Sequence, residues 1–409
     1  MSFSVADFRL WMADTAPYAT LAAIACLPFS KFWMNQFLIT AVVFSFFGGL
    51  FGQYWQYIKQ RYSTHVALAF FAWIWISVIY SAAPNFLEAL QGVGKYGKIL
   101  YILALLPIFL QPFIRQWAEL LLIASIFIST LFNLAYAYDI WHIRMHLEDY
   151  FIFNTFLINP IYITVQTTFV AFLCFTRFFT HEKYKYLFLA LFILFSFYLL
   201  FINPQRTAYL LYLSLTLLVI FQNTYCNWKK ILFSSLFLCL FLFSVYHLSP
   251  QIHHNVHETI TEVLNYQEDI TQGQYNSTNY RLSFLLHSWD IFIQHPWLGT
   301  GAGSFSYVYA QTNGPSLYEN KLLDHPHNEY MMVMLQFGLV GLSLFLVWII
   351  THWRWASELS PPNKFRLQAL IIIFVLNGLA NVSLFSGSTG SFYLLFLALY
   401  SATWLEKKL

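Results

Sequence analysis

Apolar runs recur along this chain at the length a lipid bilayer demands. Twelve of them, centred near Ala23, Phe44, Ala72, Ala104, Ile126, Val170, Ile193, Leu215, Phe237, Gly338, Phe374 and Phe396, approach the roughly 17 to 25 residues that cross a hydrocarbon core as helix. The first (Tyr18–Ser30) and the fourth (Ile99–Phe113) run short. Connections are brief except one, from His247 to about Glu329, between the ninth and tenth runs. No internal repeat is visible, which argues against a transporter assembled from paired halves. The expected fold is therefore all-α, a polytopic membrane protein of about 12 transmembrane helices. It forms one integral membrane domain over 1–409, with a single large loop carrying interfacial helices at 249–329.

Composition sharpens the picture. The chain is 59% hydrophobic and 10% charged, against roughly 25% charged in a soluble domain. A backbone in lipid must satisfy its own hydrogen bonds, which a helix does. The net charge of +3 is too small to suggest nucleic acid as a partner. The four cysteines (Cys26, Cys174, Cys226, Cys239) lie in apolar runs or short basic loops and imply no disulfide framework. The opening MSFSVADFRLWMADTAPY has no basic stretch followed by a cleavage site, so no removable signal peptide is expected.

Charge placement gives orientation, because short loops rich in lysine and arginine stay cytoplasmic. With both termini inside, fourteen of the 21 lysines and arginines lie on the cytoplasmic side. The outer set is Lys31, Lys95, Lys98, Arg144, Arg206, Arg281 and Lys321. The long loop then faces the periplasm or cell exterior, and the outer cations need some reason other than topology.

Arg206, in LLFINPQRTAYLL, stands where two spans meet at the outer mouth. It either snorkels to the headgroups or is turned inward by the bend at Pro204. Arg281 opens a stretch whose Leu282, Phe284, Leu285, Trp289, Ile291 and Phe292 suit an interfacial helix. Two arginines converging on one outer cavity suit a pyrophosphate, since each guanidinium fork binds phosphate oxygens in pairs. Lys95 and Lys98 share a helical face and either join that anion site or anchor the interface. The glycines Gly299, Gly301 and Gly303 match neither a Walker loop nor a dinucleotide fingerprint. They fit a tight turn against the membrane, anchored by Pro296, Trp297 and Phe305.

His327 carries the strongest chemistry. Asp324 and Pro326 mark a helix start with Glu329 in the first turn. The positive end of a helix dipole disfavours imidazolium, and a neutral imidazole serves as a general base near neutral pH. The plainer reading is that His327 only caps the helix. His325, two residues away, supports it from behind. His253, His254 and His257 lack a convincing carboxylate or cysteine partner, so no metal site is expected.

Taken together, Arg206 in NPQRTAY, Arg281 in YRLSFLLHSWDIFIQHPWLGTGAGSF and His327 in HPHNEYMMVMLQFGLVGL resemble the O-antigen ligase and polymerase superfamily. The resemblance is densest from Thr278 to Trp348. It implies a metal-independent, inverting glycosyltransferase of GT-C type in the bacterial inner membrane, with its active site on the periplasmic face. It further implies an undecaprenyl-diphosphate-linked glycan as donor, the outer core sugar of lipid A–core as acceptor, membrane lipid as surroundings and no cofactor. His327, Arg206 and Arg281 become the catalytic set, with Lys95, Lys98, His325, Asn328 and Gly301 binding substrate. The short basic loop after the tenth span and the end at LEKKL favour the ligase branch. A polymerase, or a transferase acting on a protein such as pilin, uses the same donor. A lipid-linked glycan flippase is a different class and would be expected to show two related halves.

Overall fold

The computed structural model describes residues 4–138, 140, 160–224, 228–272, 276–312, 314–315, 323–385 and 387–406. Arg144, Lys321, Lys407, Lys408 and Cys226, which entered the charge and cysteine readings, lie outside the described residues. The described residues are helical, with no strand among them. In chain order the first helices are α1 (Val5–Cys26), α2 (Lys31–Phe47), α3 (Leu50–Ile58), α4 (Tyr62–Ile76), α5 (Phe86–Tyr96), α6 (Tyr101–Ile108) and α7 (Pro112–Ala137). Next come α8 (Pro160–Thr180), α9 (Lys185–Phe197), α10 (Arg206–Thr224), α11 (Trp228–Leu248), α12 (Pro250–Leu264) and α13 (Tyr266–Thr271). The last are α14 (Ser277–Gln294), α15 (Phe305–Ala310), α16 (Glu329–Ser357), α17 (Pro361–Ala380) and α18 (Gly387–Glu406). A 3-10 turn covers Gly97–Leu100, and a π turn covers Tyr198–Ile202.

Each of the twelve apolar centres falls inside a helix. Helices α7, α8, α12 and α17 begin on proline, whose fixed φ and missing N–H suit a first helical turn. Length and composition are stricter than periodicity. Among the described residues five helices are long and apolar enough to cross a membrane, or up to seven if each bent pair is one span. The shortfall against twelve has visible causes. The α2–α3 run bends by 81°, α6 has eight residues, and α4 and most of α10 form shorter apolar helices.

The single domain expected over 1–409 is described as two compact units, Met1–Ile24, Phe32–Ala118 and Glu262–Leu409 in the first, Ala25–Lys31 and Glu119–Thr261 in the second. In the first, α16 packs against α4, α14 and α17, and α18 against α6 and α17. In its core Phe70, Tyr96 and Phe337 meet edge to face, and Phe345 packs on Phe70 at a tilt of 44°. Cations expected on the cytoplasmic side meet carboxylates at that end. Arg61 reaches Glu358 at 2.8 Å and lies over the rings of Trp355 and Trp404, while Arg115 reaches Glu406 at 2.6 Å. In the second unit α8, α9, α10 and α11 surround an apolar cavity of about 450 Å3, lined by Phe172, Phe192, Tyr212 and Phe237 among others.

The stretch expected as interfacial helix is α14, capped by the Asn276 side chain, which accepts from Thr278 and Asn279 N–H. Its buried face carries Ser283, Phe284, Ser288, Ile291 and Phe292. Leu286, Trp289 and Ile293 lie exposed along the other side. An exposed apolar stripe at helical spacing suits a headgroup boundary.

Candidate active site

The glycine loop is built into the fold. Helix α16 is broken at Gly338, where φ is 66° and ψ is −167°. A break frees carbonyls and amides that lipid cannot satisfy. The loop supplies their partners. Thr300 N–H donates to Leu335 O at 2.9 Å and Gly301 N–H to Gln336 O at 2.8 Å. Leu339 N–H returns a bond to Pro296 O at 2.8 Å. Gly299 N–H goes to His295 O, Ala302 N–H to the Ser77 hydroxyl and Gly303 N–H to Gln336 Oε1. Every amide from Gly299 to Gly303 is thus used within the protein, which leaves no nest for an anion. Gly301 has φ 89°, and a Cβ there would meet Ser81 Cα at 2.4 Å. Gly301, which the resemblance assigned to substrate, is thus packed closely against Ser77 and Ser81 with its N–H already bonded. Trp297 is exposed, as a membrane anchor should be, but Phe305 is buried in the core beside Phe284, Tyr309 and Leu335.

His327 lies just ahead of α16. The helix starts at Glu329, later than Asp324 and Pro326 suggested, and the cap is Asn328, whose Oδ1 accepts from Met331 N–H at 2.9 Å. Asn328 Nδ2 donates to Leu379 O at 3.0 Å. Capping therefore falls to Asn328, and His327 is left for other work. Among the described residues it is the one non-glycine with left-handed backbone, at φ 54°, a conformation costing of order 1–3 kcal/mol that concentrates at functional sites. Its Nδ1 is buried without a hydrogen-bond partner.

The neighbours of His327 come from α14 and from the segment just ahead of α16. Arg281 and Phe284 are three apart on α14 and so share a face. The Phe284 ring stacks on the imidazole at 5.9 Å between centroids and 15° between planes. The His325 ring meets it edge-on at 4.4 Å, and His327 N–H donates to His325 Nδ1 at 3.3 Å. Burial first, then His325 and the Arg281 guanidinium, lower the His327 pKa from 6.5 to about 3. Burial also brings His325 down to about 4, with Lys95 pushing the same way and Asp324 opposing. Helix-end electrostatics had suggested a neutral imidazole; here burial is the largest cause.

Lys95 and Lys98 end up on one target, the turn 381–385 between α17 and α18. Lys98 Nζ donates to Leu384 O at 3.1 Å, and Lys95 Nζ lies 4.0 Å from the Phe385 ring centroid. Phe385 in turn stands 6.4 Å from the His325 ring. The first unit thus gathers Lys95, Lys98, Arg281, His325, His327 and Asn328.

Arg206 belongs to the second unit and opens α10 after a π turn, a feature frequent at functional sites. Asn203 shapes the entry, bonding Thr164 Oγ1 with its Nδ2 and Gln205 N–H with its Oδ1, both at 2.8 Å. Arg206 Nη2 reaches Glu258 Oε2 at 2.7 Å, and both side chains keep solvent contact. Sequence reading missed Glu258. It follows the HHNVH run directly, and His254 Nε2 stands 3.7 Å away, so a carboxylate partner does exist and is engaged by Arg206. Among the described residues no three His, Cys, Asp or Glu side chains gather as metal ligands would. Glu329 and Phe284 were read only as a first-turn helix marker and as part of an interfacial apolar face, not as neighbours of the site.

Residues 189–346 match the family model for O-antigen ligase. That span holds Arg206, Arg281 and His327; Lys95 and Lys98 precede it. No curated protein matches the chain significantly. Through this segment, which is less than half of the chain, the protein is similar to the O-antigen ligase family.

Proposed function

We propose that the protein is a metal-independent, inverting glycosyltransferase of GT-C type, acting at the periplasmic face of the inner membrane. It moves a glycan from undecaprenyl diphosphate to the outer core sugar of lipid A–core. The observation that carries this reading is His327, a neutral imidazole with an unpartnered buried nitrogen, placed beside Arg281 at the head of a membrane helix. The acceptor hydroxyl attacks the anomeric carbon while the bond from that carbon to the diphosphate oxygen breaks, its electron pair leaving with the diphosphate. His327 accepts the hydrogen bond of the attacking hydroxyl and takes its proton. Arg281, beside His327, balances the growing diphosphate charge, the role that the resemblance also gives Arg206. One displacement inverts the carbon.

A pKa near 3 makes the unloaded imidazole a weak base. Bound diphosphate acts against that, because its negative charge favours imidazolium. A lipid-linked donor also suits the second unit. The apolar cavity runs along α10 from Tyr212, about 9 Å down the helix from Arg206, as a tail lies beneath a headgroup.

His327→Ala tests the assignment. Donor binding should persist, while transfer falls by roughly two to four orders of magnitude, the scale of a lost general base. Cells carrying the variant should accumulate carrier-linked glycan on the outer leaflet and show truncated lipid A–core. Accumulation on the inner leaflet, out of reach of glycosidase added to spheroplasts, overturns the enzyme reading in favour of a flippase. Outer-leaflet accumulation of unextended single repeats points to a polymerase.

A further inference from the structure

The Leu384 peptide is held from both directions by ionisable side chains from elements distant in sequence. Its N–H donates to Glu329 Oε2 at 2.8 Å. Its C=O accepts from Lys98 Nζ at 3.1 Å. Glu329 is 1% exposed, and its second oxygen has no hydrogen-bond partner. Burying a carboxylate is expensive unless it is well used, so a fold that needed only a cap at this position has no reason to place one here. The cap is already supplied by Asn328.

What the two side chains hold is a short turn whose other residues reach the site. Phe385 lies under Lys95 and beside His325. Val382 and Phe385 pack into the same apolar cluster as Phe284, whose ring covers His327. The turn is itself pinned to α17, since Asn377 Nδ2 donates to Ser383 Oγ at 2.8 Å. Glu329 stands two residues from His327, so a pull on its carboxylate is felt in the backbone that keeps φ of His327 at 54°.

We propose that Glu329 and Lys98 are positioning residues that clamp the Leu384 peptide, so that the turn 381–385 fixes His325 and His327 in the arrangement glycan transfer requires. This inference rests on the transferase reading above and adds to it two groups that never touch the reacting atoms. The work of Glu329 is hydrogen-bond acceptance, for which an amide oxygen substitutes. Proton transfer would need the acid itself.

The test compares Glu329→Gln, Glu329→Ala and Lys98→Met in the full-length protein. Loss of a hydrogen bond to a charged group should lower kcat of Glu329→Ala and Lys98→Met by roughly 10- to 100-fold, with donor KM little changed. Glu329→Gln should recover most of that loss. Modification of His327 by diethyl pyrocarbonate, read by mass spectrometry, should quicken in Glu329→Ala and Lys98→Met and stay slow in Glu329→Gln. Should Glu329→Ala fail to fold, the other two variants decide. A Gln variant as inactive as Ala makes Glu329 a proton carrier and overturns the proposal. So does an unchanged His327 modification rate in Lys98→Met. If the wild-type protein transfers no glycan yet the modification rates behave as described, the clamp stands and the transferase reading fails.

Discussion

The proton affinity of His327 is governed by what surrounds it, and this gives a sharp pH expectation. The folded pKa is lowered from 6.5 to about 3, so the free protein keeps a neutral imidazole throughout the weakly acidic range. Since kcat/KM reports the free enzyme and kcat the loaded one, kcat/KM should stay level from about pH 8 down to pH 5. The acid limb of kcat should lie higher, because the donor's charge raises the imidazole. A fall in kcat/KM centred near 6.5 in a pH–rate series would mean a hydrated histidine. Stability follows the same sign. His325 and His327 have depressed folded values, so their neutral-state contribution is full above 6.5 and is lost as pH falls towards 4 and 3. The arginines give a second expectation. Arg206→Lys and Arg281→Lys keep the charge but lose the fork, and each should reduce transfer by roughly tenfold or more, assayed with purified donor and acceptor in detergent. Near-normal turnover in both would reduce them to anchors. Identities at this level were readable in the sequence, because Arg206, Arg281 and His327 are polar letters in apolar surroundings. Their partners were not. Glu329 and Leu384 are 55 positions apart, and nothing local announces a bond between them.

The glycine loop and the α16 break form one element made from two distant stretches. A Cβ on Gly338 would meet Trp297 O at 2.1 Å, with φ at 66°. Gly94, in contrast, has open space around the position of a Cβ. Gly338→Ala should therefore lower the unfolding temperature in detergent by the equivalent of at least ~2 kcal/mol, while Gly94→Ala is neutral or stabilising by about 0.5–1 kcal/mol. Equal melting of the two variants would show that the break is a relaxed kink. Hydropathy placed α16 correctly, and its centre at Gly338 fell on the break itself. The break was hidden because glycine in an apolar run reads as tolerated helix. The loop's purpose was hidden for a related reason: the amides of Thr300 and Gly301 are satisfied by carbonyls 35 positions away, so local turn chemistry could say only that the chain bends.

Across the whole chain, orientation is the property that most needs measurement. Residues expected on one side do meet each other, as Arg61 with Glu358 and Arg115 with Glu406 show. Single cysteines at Gln272 and Gln311, both exposed, should react with a membrane-impermeant maleimide in intact spheroplasts. Labelling that appears only after the membrane is broken would invert the topology. The all-helical architecture was legible because apolar length is a strong signal. The count of crossing helices was less so, because bends and short helices divide runs that hydropathy treats as continuous. The break at Gly338 also bears on how the protein meets its bilayer. From Glu329 to Phe337 the helix rises about 13 Å, a pedestal on which His327 stands. Its foot is bonded to the Pro296–Gly303 loop through Leu335 and Gln336, so protein sets its angle. Lipid thickness acts on the longer shaft below, and a joint separates that shaft from the pedestal that carries the chemistry.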